Sequence, residues 1–194
     1  MSNSMQIQLF HDTACPWCRI GKRHLQIALS EWLSEAVTVR YLAFFLNPSI
    51  PVEGYDFQDY MWKKGGGRVP LEQWFAAPRT TGQQVGLTFN FEQITQAPNT
   101  SLSHQLIAIT PDAQRHAMID AIYRAYFEHG RNIGDLNVLS DLAAEQGLNA
   151  TDIKQQMQSA TAQQRVQEDI RAAQRLGVTG VPFFVFDNRL ALSG

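Results

Sequence analysis

Cys15-Pro16-Trp17-Cys18 lies between a short apolar run, Ile7-Gln8-Leu9-Phe10, and a longer segment with helical spacing. These are the 2 cysteines of a 194-residue chain. Two intervening residues let one helical turn bring both sulfurs together. A thiolate at Cys15 can attack a disulfide, and Cys18 can resolve the mixed disulfide from within, which is thiol–disulfide exchange. A close-spaced pair in a chain with no other cysteine points to redox chemistry or to metal. A closed tetrahedral zinc site needs four Cys or His ligands, in two spaced pairs. Here there is one pair, and His11 and His24 flank it without ligand spacing, so no metal is expected.

Working outward, Gln6-Ile7-Gln8-Leu9-Phe10 alternates and then turns fully apolar, as a strand entering a buried sheet does. Asp12 or Thr13 is available as a helix N-cap. Pro16 suits the first turn, where a missing N–H is harmless and its fixed φ fits the helix. Residues 17–33 carry Ile20, Leu25, Ile27, Leu29, Trp32 and Leu33 on a broadly amphipathic pattern. Residues 37–45 are rich in β-branched and aromatic side chains and read as a second strand. Strand, helix, strand defines a βαβ unit with a right-handed crossover.

Asn47-Pro48-Ser49-Ile50-Pro51 leaves that unit as an extended connection. Helical signals then dominate. They mark short helices over 56–64 and 69–77, one ending at Ile109, a longer one from Pro111-Asp112, one capped by Asp135 and ended by Gly147, and one opening at Thr151. A further helix from Thr161 ends at Gly177, and Phe183-Phe184-Val185-Phe186 is a buried strand. Asp187-Asn188 turns the chain back into Arg189-Leu190-Ala191-Leu192 as a hairpin. The expected organisation is an α/β domain made of residues 5–50 and 161–194, interrupted by an all-helical subdomain over 56–160.

Composition sets limits. The chain is 44% hydrophobic and 18% charged, with a formal net charge of -2. That is ordinary globular usage with no field favouring nucleic acid or an anionic membrane. No apolar run approaches the roughly 20 residues of a membrane span. Met1-Ser2-Asn3-Ser4-Met5 lacks a basic n-region, so no signal peptide is expected and the cytoplasm is the expected location.

The helix start, the Cys18 thiol and the basic run Arg19, Lys22 and Arg23 all favour a Cys15 thiolate. Pro16 and Arg19 are therefore candidate tuning residues for its acidity. Trp17 is expected as an aromatic lip that contacts substrate. Val181-Pro182 opens the late strand after a glycine-bearing loop, and its isomer is open on local sequence alone. The Val181 backbone is expected to pair with an extended substrate beside Cys15. Gly65-Gly66-Gly67-Arg68 lacks the lysine–hydroxyl ending of a phosphate loop. His104, His116 and His129 receive no role.

Together with the helical insertion and the run from Gly177 to Phe186, the Cys15-Pro16-Trp17-Cys18 start resembles the DsbA family, in particular its FrnE-like branch. Phe44-Phe45-Leu46-Asn47-Pro48, Pro98-Asn99-Thr100 and the segment from Arg124 to Ile133 are similar to the same branch, so the likeness spans nearly the whole chain. It implies a thioredoxin fold with a large inserted helical subdomain and disulfide oxidoreductase or isomerase activity. Cys15 would attack, Cys18 resolve and Pro182 be a cis-proline facing them. No cofactor beyond the redox-active disulfide is implied. The partners would be protein or peptide thiols and disulfides, with glutathione a candidate co-substrate, and the chain a monomer or homodimer. Arg19 stands where that branch carries an aromatic residue, and Ser193-Gly194 falls where it continues into a closing helix. Two alternatives stand beside this reading. One is a glutathione-dependent enzyme of the kappa-class transferase or 2-hydroxychromene-2-carboxylate isomerase type, whose members carry serine at the Cys15 position. The other is a non-catalytic peptide-binding holdase.

Overall fold

In the computed structural model, which describes residues 4–194, the βαβ unit is β1 Met5–His11, α1 Pro16–Glu31 and β2 Val37–Ala43. β1 runs parallel to β2 in a register from Met5↔Val37 to His11↔Ala43. On its other side β1 pairs antiparallel with β5 Phe183–Phe186, which pairs in turn with β6 Leu190–Ser193. The sheet order is β2-β1-β5-β6. The hairpin turn holds Asp187 at φ 47° and Asn188 at φ 54°, the left-handed pair that a two-residue turn needs.

β1 has a neighbour on each edge and a helix on each face, and its second half, from Ile7 on, is where its buried apolar residues Ile7, Leu9 and Phe10 fall. Ile7 and Leu9 point with Phe184 toward Leu25 and Leu29 of α1. Phe10 points the other way, with Leu42 and Val185, onto Ala173 of α8 Ala160–Arg175. The two faces follow the period-2 alternation of a strand.

Between β2 and α8 lie β3 Tyr55–Asp56, α2 Phe57–Lys64, α3 Leu71–Gln84, a 3-10 turn at Phe91–Gln93 and β4 Gln96–Ala97. Four more helices follow: α4 Ser101–Ile109, α5 Asp112–Phe127, α6 Leu136–Glu145 and α7 Ala150–Met157. This is a thioredoxin fold carrying a large helical insertion. Met118, Ile119, Ile122, Leu139 and Met157 form the insertion's core, and both cysteines belong to that same cluster. The insertion therefore packs directly on the start of α1.

The structure corrects several expected boundaries. The helix expected over 69–77 continues through Pro78 to Gln84, because Phe75, Pro78 and Gly82 form one buried face. Packing of that face outweighs the proline's cost of about 3 kcal/mol. The second strand stops at Ala43 rather than at 45, where Phe44 N–H turns to donate to His11 O at 2.9 Å. α1 ends at Glu31, and its N-cap is Cys15 rather than Asp12 or Thr13. Asn149 and Ser159 cap α7 and α8. The two-residue ladder of β3 and β4 has no counterpart in the expected elements.

His11, at the end of β1, is buried with Nδ1 2.9 Å from the Tyr123 hydroxyl. Burial, then the charges of His104 and Lys22, hold its pKa well below the ordinary value. The unfolded chain takes up a proton here below about pH 6.5 and the folded chain refuses it, so stability is lost as pH falls through that value. The slope from this one group is at most about 1.4 kcal/mol per pH unit. Urea midpoints between pH 7 and pH 5 are expected to fall less steeply for His11→Gln than for the wild type. Equal slopes would contradict a neutral buried His11.

Candidate active site

α1 begins at the pair. Cys15 sits in extended backbone as N-cap, with Pro16 in the first turn, so the free N–H groups of that turn point at its sulfur. Cys18 N–H donates to Cys15 Sγ at 3.3 Å. Cys15 Sγ lies 3.7 Å from the Val181 carbonyl oxygen, and the Val181–Pro182 peptide is cis. Gly21, on the next turn of α1, makes room for that loop: a Cβ there would stand 2.8 Å from Pro182 Cγ. Cys15, Cys18, Val181 and Pro182 are thus brought together from two ends of the chain, and both cysteines are free thiols.

The two sulfurs differ in access. Cys15 is 3% exposed and lines a cavity of about 280 Å³ that also reaches Pro16, Trp17 and Val181. Trp17 stands at its rim, 42% exposed. Cys18 is fully buried behind the turn, with Sγ accepting from Asp12 N–H at 3.5 Å. Burial first, and then its interaction with Cys15, pushes the Cys18 thiol well above its ordinary pKa.

Asp12 is the residue that sequence alone misassigns. Its carboxylate accepts from Ala14 N–H at 3.3 Å and from Leu46 N–H at 2.8 Å, tying the loop before the pair to the loop after β2. His104 Nε2 lies 3.7 Å from the same carboxylate, and Thr13 Oγ1 meets Ser103 Oγ at 2.7 Å. A polar residue before a helix reads equally well as a cap, so only the fold distinguishes the two roles.

Arg19 also needs correction. It is buried, donates to Thr88 O at 2.7 Å, pairs with Glu128 and lies 5.1 Å above the Phe89 ring. Its charge is neutralised in the helical subdomain rather than offered to Cys15. Lys22 is likewise engaged, by Asp120 at 2.7 Å, and Arg23 donates to Val85 O at 3.1 Å. Among the described residues no group of three or more His, Cys, Asp or Glu side chains is placed to hold a metal ion.

A thioredoxin fold whose first helix opens on a Cys-x-x-Cys pair beside a cis-proline loop defines the thioredoxin-like thiol–disulfide oxidoreductases as a class. The chain matches the DSBA-like thioredoxin domain over residues 6–194 and belongs to that family. It is similar to the uncharacterized protein YwbO of Bacillus subtilis (strain 168), at 25% identity over 189 residues, covering 94% of this chain and 86% of YwbO. The structure is similar to the probable DsbA oxidoreductase SCO1869 of Streptomyces coelicolor. That match has a TM-score of 0.88 and 30% identity, covering 98% of this chain and 83% of the other. The cytosolic disulfide reductase DsbM of Pseudomonas aeruginosa shares the fold at TM-score 0.68 and 22% identity, over 97% and 89% of the two chains. DsbM has also been solved with GSH.

Iodoacetamide at pH 8 is expected to alkylate Cys15 in the native protein and to reach Cys18 only after denaturation. Peptide mass mapping reads the difference, and equal labelling of both thiols would contradict it. Arg19→Met is expected to lower stability by about 3 kcal/mol, because Glu128 is left partly buried and unpaired. The same variant should leave the Cys15 alkylation rate little changed, since its charge is spent on Glu128.

Proposed function

We propose that the Cys15–Cys18 pair exchanges disulfides with protein or small-thiol substrates. The observation that carries this reading is the Cys18 N–H donated to Cys15 Sγ at 3.3 Å across the first turn of α1. That sulfur therefore faces the amide hydrogens at a helix N-terminus, a place that binds anions, and opens onto the cavity through which a substrate can reach it. Cys18 lies one turn behind, shielded from outside oxidants.

In the reducing direction the Cys15 thiolate attacks one sulfur of R–S–S–R′ and expels R′–S⁻. Cys18 then attacks Cys15 Sγ, expels R–S⁻ and closes the Cys15–Cys18 disulfide. Two electrons pass from the pair to the substrate, and the Cys18 proton leaves with a released thiolate. The oxidising direction is the reverse, and the potential of the pair against its surroundings sets which prevails. The Val181 carbonyl, 3.7 Å from the attacking sulfur, lies at the place where an extended substrate would run beside it. No cofactor beyond the pair is needed. We place this exchange in the cytoplasm with glutathione as the recycling thiol, in keeping with the similarly folded cytosolic reductase DsbM and its GSH complex.

Turnover of a disulfide coupled to glutathione and glutathione reductase tests the assignment. Cys15→Ser should reduce it to the uncatalysed rate. Cys18→Ser should instead accumulate a Cys15–substrate mixed disulfide, visible by intact mass as one substrate half per chain. Glutathione-dependent turnover that persists in Cys15→Ser would replace this reading with a transferase or isomerase.

A further inference from the structure

The cavity of about 280 Å³ beside Cys15 continues into the helical insertion between α2 and α3. Its walls include Phe57, Met61, Trp74, Phe75, Phe91 and Tyr126. Phe75 stacks between Phe57 and Phe91, with centroids 5.7 and 4.0 Å away, so the wall is a rigid aromatic surface. Two charged residues line the cavity, Asp12 and Lys64. The Asp12 carboxylate is already held by the Ala14 and Leu46 amides, and Lys64 is an exposed residue with its Nζ 5.8 Å from the Tyr60 ring centroid.

Size and polarity select the occupant. A dry apolar cavity of about 150 Å³ takes up benzene, so a space roughly twice that size holds one substituted ring and a short tether. A polypeptide loop is too large. The ring faces of the wall offer no partner to the two carboxylates and the ammonium group of glutathione. Those groups would be left to Asn47, Tyr60, Lys64, Thr100 and the unpartnered Trp74 Nε1, so the wall itself suits a ring better than a glutathionyl chain. Cys15 is 3% exposed and lines this cavity, so a slim small molecule can bring its sulfur to the pair through it.

We propose that this cavity is the specificity site for small disulfides carrying an aromatic ring, with the ring in the cavity and its sulfur presented to Cys15. The proposal rests on the exchange chemistry above and names its substrate. For ring–CH₂–S–S–R′, Cys15 attacks the sulfur bearing the ring-containing group and R′–S⁻ leaves. Cys18 then attacks Cys15 Sγ, and ring–CH₂–S⁻ leaves the cavity, the Cys18 proton going with a released thiolate. Two molecules of a small thiol of the glutathione class reduce the resulting Cys15–Cys18 disulfide and become one oxidised disulfide.

Benzyl 2-hydroxyethyl disulfide and bis(2-hydroxyethyl) disulfide carry alkyl leaving groups of similar acidity and differ in the ring. The wild-type protein is expected to prefer the benzyl compound in kcat/KM by about 10- to 100-fold, the range that burial of one ring supplies. Ala97→Leu, which adds bulk to the wall, should bring that ratio close to one. Equal turnover of both disulfides by the wild type would overturn the proposal while leaving the exchange reading intact.

Binding is read separately in Cys15→Ser/Cys18→Ser protein, by tryptophan fluorescence, with the unreactive thioether benzyl 2-hydroxyethyl sulfide. Saturable binding that the ring-free bis(2-hydroxyethyl) sulfide does not match supports the cavity even if no redox turnover is found. Absence of such binding overturns it whether or not Ala97→Leu folds.

Discussion

The structure depends on one short contact, the amide hydrogen of Cys18 aimed at the sulfur of Cys15 across the first turn of α1. That contact exists because the cysteine itself is the N-cap, so a group that normally only caps a helix is also the attacking atom of the proposed exchange. The cap position leaves several backbone donors without a partner inside the helix. A sulfur placed there satisfies one of them and gains a site suited to negative charge. Pro16 adds to this by removing one donor at the position where none is required and by holding the turn in helical φ.

Holding the contact requires both ends of the chain and the insertion. β1 delivers the Asp12 loop, and the sheet fixes β1 by giving it a neighbour on each side. Asp12 then joins three pieces: its amide meets Cys18, and its carboxylate meets Ala14 and Leu46. The same loop reaches the insertion through Thr13 and Ser103 on α4, and through the Tyr123 hydroxyl, which donates to Asp12 O at 3.4 Å from α5. Farther along α1, Arg19 and Lys22 are pinned to Glu128 and Asp120. In each pair the cation is buried and the carboxylate only partly so. Such pairs add little net stability over apolar packing but tolerate poorly the loss of the carboxylate that partners the buried charge. Here they fix how the insertion is seated on the helix that carries the pair.

Much of this was legible in the residues. The Cys-x-x-Cys spacing, the apolar strand before it and the βαβ order are local patterns, and local patterns survive folding. Asp187-Asn188 was legible for the same reason, since few residues adopt left-handed backbone readily. Arg19 was not legible, because three of its partners, Thr88, Phe89 and Glu128, lie far along the chain. Spacing along α1 gives the position of Arg19 relative to Cys15 and says nothing of a carboxylate arriving from the end of α5. Pro78 misled in the opposite direction: its local preference to end a helix is real, and tertiary packing of the face it belongs to overrides it. The cavity beside Cys15 had no sequence signature either, since its walls come from α2, α3, α5 and the turn at Phe91.

The asymmetry between the two sulfurs has a direct mechanistic consequence. Cys18 is buried and its thiol is held protonated by desolvation and by its neighbour. In the proposed exchange Cys15 attacks as the thiolate, and a second ionised sulfur one turn away would oppose it, so the neutral Cys18 suits the first step. Once Cys15 has become part of a mixed disulfide its negative charge is gone. The part of the Cys18 shift that comes from Cys15 is then relieved, while the part that comes from burial stays. Formation of the mixed disulfide thus makes its own resolution easier. Burial of both cysteines strengthens this coupling, because charge interactions grow as the local dielectric falls.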